Sequence, residues 1–301
     1  MALAIGCAGR ASRASTLPEA QAGGSRTSSA TSQDGARRGT WVWREETVLN
    51  ASEREKLFEF ARTKKLTELY VAIADDYEAP DGLAALGDLV RRAHASHIEL
   101  FWVCGDPSWA LSERHARALS VIDWAIRVNT LLQKQSLPAI RGLQYDVEPY
   151  LAPAWRASPG SVELQYASLL AKLRDATKSV GLELWLDVPF WFEERTFQDT
   201  SLGQLAVRSS DGIVIMAYRS TAAEIVDKAT DLLRDPYARA RSVVVAMETS
   251  CREVPVTTLC GMTGAGLDSA MGEIGRRLRS FDAFAGLAVH PYEGWSELSS
   301  R

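Results

Sequence analysis

At 301 residues with 46% hydrophobic content, the chain can bury either one barrel-sized core or two smaller ones. Its 34 basic and 38 acidic residues leave a net charge of −4, which argues against nucleic acid as a partner, because phosphate binding needs a concentrated positive surface. Nine Trp, eight Tyr and eight Phe suit a large core, and also flat neutral ligands such as sugars that stack on rings.

Residues 8–38 are rich in Ser, Ala, Gly, Arg and Thr and nearly lack large apolar side chains. Burial there cannot offset the entropy of ordering, so residues 1–38 are expected to form a disordered tether. Ahead of it, small residues lead to Cys7, and this start resembles the tail of a bacterial lipoprotein signal without its basic region. Cys7 is then either a lipid anchor behind an upstream start or part of an apolar start without that role. The first alternative implies an extracytoplasmic location. No later stretch has the length of a membrane span.

From Gly39 onward, short β-rich runs alternate with longer amphipathic segments, the pattern of a parallel sheet covered by helices. The first strand is expected over Thr40 to Arg44, then a helix from Glu53 to Lys64 opened by Asn50 and Ser52, good N-cap residues. Strand two is Glu68 to Ala74, with a helix from Gly82 to Ala95; strand three is Ile98 to Cys104, with a helix from Glu113 to Gln133. Strand four carries Asp146 and Glu148, and strand five is Leu182 to Val188. Strands six, seven and eight are Gly212 to Tyr218, Ser242 to Glu248 and Ala285 to His290. Eight such units predict a single (β/α)8 barrel over residues 39–298, with only a stub of helix after strand eight. An open doubly wound sheet is the alternative, but no Gly-rich phosphate loop follows the first strand, and Gly261 to Gly266 has its glycines in the wrong order.

In this fold the active site lies where strands end and loops begin. Polar residues gather there: Asp146 and Glu148 on strand four, Asp187 on five, Tyr218 and Arg219 on six, Glu248 on seven, His290 and Tyr292 on eight. Asp146 and Glu148 are two residues apart, hence on one face of a strand, where two carboxylates are costly to desolvate and repel each other. Trp43, Trp109, Trp191 and Trp295 adjoin strand ends and are candidate sugar platforms; each is alternatively a core ring.

The run Arg141 to Glu148 resembles the strand-four signature of family 18 glycoside hydrolases, the chitinases and their relatives, in which Asp-Gly-x-Asp-x-Asp-x-Glu ends in the catalytic acid. Gly142, Asp146 and Glu148 match it, while Arg141 and Gln144 stand where the family has Asp. Met216-Ala217-Tyr218 resembles the family's Met-x-Tyr on strand six, with Arg219 in place of Asp. This resemblance implies that Glu148 protonates the glycosidic oxygen and that the substrate's 2-acetamido group attacks. Asp146 then orients that group and raises the pKa of Glu148, and Tyr218 bonds the acetamido oxygen. Trp295 becomes the floor under the sugar.

Glu148-Pro149 and Glu248 are also similar to the acid and nucleophile of retaining barrel glycosidases, on strands four and seven. That resemblance implies a glycosyl ester on Glu248 across a carboxyl gap of roughly 5 Å. Both resemblances imply that Glu148 is the acid, that the partner is a carbohydrate, and that no cofactor is needed. The remaining candidate substrate contacts are Asp187, Arg219, His290, Tyr292, Trp43 and Trp191. Barrels related to chitinases also serve as lectins after losing the catalytic Glu, and the departures at Arg141, Gln144 and Arg219 fit a catalytically weakened, carbohydrate-binding barrel as the alternative.

Other chemistry is less well supplied. His94, His97 and His115 fall on or beside helices, which argues against a His-rich metal centre. Cys104 reads as core. Cys251 and Cys260 share the loop after strand seven and either pair there or stay reduced. A monomer is expected.

Overall fold

Eight parallel strands close on themselves in the computed structural model, which describes residues 36–300 of the chain. They are β1 (Arg37–Val42), β2 (Glu68–Ala72), β3 (Glu99–Cys104), β4 (Gly142–Tyr145), β5 (Glu183–Pro189), β8 (Gly212–Met216), β9 (Ser242–Glu248) and β10 (Phe284–His290). The order around the barrel is β1-β10-β9-β8-β5-β4-β3-β2. A small antiparallel hairpin, β6 (Thr196–Phe197) and β7 (Thr200–Ser201), sits in the loop after β5 and was not expected from the sequence. The fold is the (β/α)8 barrel that the alternation of elements predicts.

Side chains alternate across each strand, and this sorts them into two cores. Leu69, Val71, Leu143, Leu184, Leu186, Ile213, Ile215, Val243 and Val245 point outward onto the helices. Trp41, Tyr70, Phe101, Trp185, Val214, Val244, Ala246 and Ala288 fill the interior. The filling is lopsided. Rings from β1, β2, β3 and β5 touch in series, with centroids 4.8 Å, 6.2 Å and 5.2 Å apart, and meet small residues from the other side. Gly212 lies so close under Trp185 that an added Cβ would be 2.5 Å from the indole. Below these rings Arg37 pairs with Glu68, whose other oxygen accepts from the Tyr70 hydroxyl at 2.8 Å. With the polar plug at one end and the rings in the middle, the mouth of the barrel is the opposite end, where the strands finish.

The helical layer comprises α1 (Glu45–Leu49), α2 (Ala51–Lys64), α3 (Pro80–Ala95), α4 (His115–Lys134), α5 (Pro153–Ala157), α6 (Pro159–Val180), α7 (Leu202–Ser209), α8 (Ala222–Arg234), α9 (Gly264–Leu278) and α10 (Tyr292–Ser299). Asn50 caps α2 as its side-chain chemistry predicts, accepting from the Ser52 amide at 2.8 Å and the Glu53 amide at 3.4 Å. The stub after strand eight is α10. Strand β1 begins at Arg37, inside the stretch expected to be a tether, because Arg38 donates its amide to Thr67 and Arg37 pairs with Glu68 of the neighbouring strand. The rest of the expected tether, and Cys7, lie outside the described residues. Among the described residues no helix is long and apolar enough to cross a membrane.

Candidate active site

The mouth is built around β4 and its continuation. The strand ends at Tyr145, but the Asp146 amide still bonds the Cys104 carbonyl at 2.8 Å, so the alternation carries on past the strand. Leu143, Tyr145 and Val147 are buried in the outer core, and Gln144, Asp146 and Glu148 take the inward face. Gly105 is required here: a Cβ at that position would lie 1.8 Å from the Asp146 carbonyl oxygen. Pro149 then opens a short 3₁₀ turn.

Gln144, fully buried, donates its side-chain amide to Asp187 on β5 at 2.6 Å. Asp187 Oδ2, Asp146 Oδ1 and Gln144 Oε1 are buried without a hydrogen-bond partner. Burial first, and then the neighbouring charges of Asp187 and Glu148, hold the Asp146 carboxyl well above the ordinary carboxylate range. Burial likewise pushes Asp187 up to about 7, against the bond from Gln144 that favours its ionised form. Glu148 is 7% exposed, and burial raises its pKa although Tyr150 donates a hydrogen bond to its Oε1. The Tyr150 ring is held edge-on by Trp191, 5.0 Å away.

Across the mouth, Glu248 and His290 are register partners on β9 and β10. His290 Nδ1 stands 2.6 Å from Glu248 Oε2, and the Ser250 amide donates to Glu248 Oε1 at 2.5 Å. On its other side, His290 Nε2 accepts from the Trp43 indole at 2.7 Å. The His290 ring stacks on Tyr218 with centroids 6.0 Å apart. Burial first, then Glu248, Asp146, Asp187 and Glu148, raise the Tyr218 pKa well above the usual phenol value, so its hydroxyl remains a donor. One hydroxyl thus feels all four carboxylates of the mouth.

Arg219 lies beside this group, its guanidinium 4.2 Å above the Phe190 ring. The loop carrying Glu248 is closed by a Cys251–Cys260 disulfide with Cα atoms 5.1 Å apart. Two expected contacts are displaced. Tyr292 and Trp295 follow strand eight in sequence, but α10 folds back, and both rings pack edge-on against Phe60 of α2 at 5.3 Å and 5.2 Å. Trp295 is fully buried and cannot be a sugar floor; Tyr292 is equally a residue of the helical layer. Trp109, 5% exposed against Tyr145, is a core ring as well. Two mouth residues escaped sequence reading. Tyr150 lies within the motif, but the turn at Pro149 aims it; Trp41, on the inward face of β1, favours the ionised form of Asp187 and meets the His290 ring edge-on. Among the described residues, no group of three or more His, Cys, Asp or Glu side chains is arranged to hold a metal ion.

No family model matches the chain, and no curated protein matches it in sequence. Solved structures do. A GH18 chitinase from Pseudoalteromonas aurantia superposes with a TM-score of 0.57 at 10% identity, over 88% of this chain and 98% of that one. The spore cortex-lytic enzyme SleL of Bacillus megaterium gives 0.57 at 10% identity, over 87% and 73%. A chitinase from Chromobacterium violaceum gives 0.54 at 10% identity, over 88% and 98%. At such identities the likeness is one of fold: the chain shares the (β/α)8 barrel of these enzymes.

Proposed function

We propose that the protein is a glycoside hydrolase in which Glu148 is the general acid. The observation that carries this reading is the environment of Glu148: a carboxyl buried at the barrel mouth, with a raised pKa, beside Asp146 on the same inward face. A carboxyl whose pKa is raised holds its proton to higher pH and can give it to a leaving oxygen. Asp146, on the same inward face, is placed to bond a group on the substrate, and the Tyr218 hydroxyl supplies a donor from the end of β8. The fold shared with chitinases and a cortex-lytic enzyme supports a glycan of 2-acetamido sugars as the substrate class.

Attack by the substrate's own acetamido group is favoured over a Glu248 ester. Both Glu248 oxygens accept hydrogen bonds, one from Ser250 and one at His290, which stabilises the carboxylate charge and lowers its nucleophilicity. The test is release of reducing ends from chitooligosaccharides and from peptidoglycan strands. Glu148→Gln is expected to keep the fold and lower turnover by at least about a hundredfold, the low end of general-acid contributions. Binding of either glycan without any release, in wild type and variant alike, would instead identify a lectin.

A further inference from the structure

A chain of three side chains runs from just past the end of β1, across β10, to β9. Trp43 Nε1 donates to His290 Nε2 at 2.7 Å, and His290 Nδ1 lies 2.6 Å from Glu248 Oε2. An indole nitrogen can only donate, and an ionised carboxylate can only accept. His290 must therefore show a lone pair at Nε2 and carry its proton at Nδ1. The opposite tautomer sets two N–H groups face to face and a lone pair against a carboxylate. An imidazolium likewise opposes its Nε2–H to the indole N–H.

The rest of the surroundings fix the same ring. The His290 carbonyl accepts from both the amide and the hydroxyl of Thr249, at 2.7 Å and 2.8 Å. Trp41 meets the imidazole edge-on at 5.3 Å, Trp43 does so at 5.9 Å, and Tyr218 stacks on its face. Both His290 nitrogens and both Glu248 oxygens have partners inside the protein, which hold the two side chains in place. Their contribution is geometric.

We propose that Trp43 is a positioning residue: its indole N–H fixes His290 as the neutral tautomer protonated on Nδ1, and the Trp43–His290–Glu248 chain holds the Tyr218 ring in its working orientation. The consequence for turnover rests on the glycosidase reading; the tautomer does not.

Nitrogen-15 NMR of the full-length protein tests it. In wild type, His290 Nε2 is expected at the shift of an unprotonated, pyridine-type nitrogen and Nδ1 at that of a protonated, pyrrole-type one. A scalar coupling between Trp43 Nε1 and His290 Nε2 across the hydrogen bond is expected, and this measurement needs no variant. Trp43→Phe keeps a ring and loses the donor, so the coupling disappears and the Nε2 resonance moves to that of a nitrogen without a hydrogen bond, while the Glu248 carboxylate still holds the proton on Nδ1. On a glycan that wild type cleaves, the variant is expected to turn over about tenfold more slowly with KM within about twofold, the scale of one hydrogen bond. Protonation of wild-type His290 on Nε2 overturns the proposal, as does a Trp43→Phe variant with unchanged imidazole shifts. If the tautomer is as stated and no glycan is cleaved, the positioning chain stands and the glycosidase reading falls.

Discussion

Gln144 donates its side-chain amide to Asp187 at 2.6 Å, from β4 to the adjacent strand β5, deep under the barrel mouth. An amide there satisfies one oxygen of a buried carboxylate without adding charge. The resemblance to family 18 glycoside hydrolases puts Asp at this position, and with Asp187 opposite, two acceptors would face each other. Gln144→Asp is therefore expected to destabilise the fold by about 2–3 kcal/mol at neutral pH, through a lost donor and a further buried carboxylate. Chemical denaturation checks this, and the deficit should shrink in acid, where the new carboxyl is protonated.

Asp187 also sets a pH dependence of stability. Its folded-state pKa of about 7 lies above the ordinary Asp value of 3.8, so between those values the folded protein holds a proton that the unfolded chain has released. Stability from this group is full below the lower value and falls as pH rises toward the upper one. Asp187→Asn keeps the acceptor for Gln144 and removes the titration. The variant is expected to be more stable than wild type at pH 8, on the order of 2 kcal/mol, with the difference vanishing toward pH 4. Thermal unfolding across that range is the measurement, and an equal effect at both ends would contradict the assignment.

Much of this was readable in the sequence, for physical reasons that can be located. Strand β9 runs from Ser242 to Glu248 as expected, because three consecutive valines followed by Ala and Met make a short apolar run with strong strand preference. Period-two alternation alone puts Gln144, Asp146 and Glu148 on one face. What was not readable is direction after a strand ends. Trp295 is close to His290 in sequence, yet in α10 the helical period turns Tyr292, Trp295 and Leu298 together onto the outer core. The bond between Glu248 and His290 depends on the register of β10 against β9, and the aim of Tyr150 depends on the turn at Pro149; neither is a property of local sequence.

The inward turn of α10 has a measurable consequence. Trp295 is fully buried between Phe60 and the Arg38 guanidinium, which lies 5.3 Å from its ring. Trp295→Ala is expected to cost about 3–5 kcal/mol of stability, the range for deleting a large buried ring. At temperatures where the variant remains folded, glycan affinity should match wild type. A selective loss of affinity would return Trp295 to the list of sugar contacts.

The disulfide after β9 bears on Glu248 through the backbone. The loop it closes returns to β9 at the Glu248 carbonyl, which accepts from the Leu259 amide at 2.8 Å and the Thr258 hydroxyl at 3.2 Å. Cross-linking Cys251 to Cys260 restricts the unfolded chain by about 2–3 kcal/mol in the loop-entropy account. Replacing both cysteines with Ser is expected to lower stability by up to that amount and to increase hydrogen exchange at Leu259; a thiol reductant should reproduce the effect in wild type and do nothing to the variant.

Tyr150, which touches Glu148 directly, tests the acid role of that residue. Its hydroxyl, kept protonated by burial and by the Glu148 charge, donates to Glu148 Oε1 and favours the ionised carboxylate. Removing that bond in Tyr150→Phe raises the Glu148 pKa further. A general acid works only while protonated, so activity falls as pH rises through its pKa, and the variant should keep its activity to higher pH. A basic limb of the kcat/KM profile displaced upward by about one pH unit is the expected result, since one hydrogen bond to a charged group is worth roughly that much. A limb that moves down, or stays in place while activity drops, would mean that Tyr150 acts on the substrate and not through Glu148.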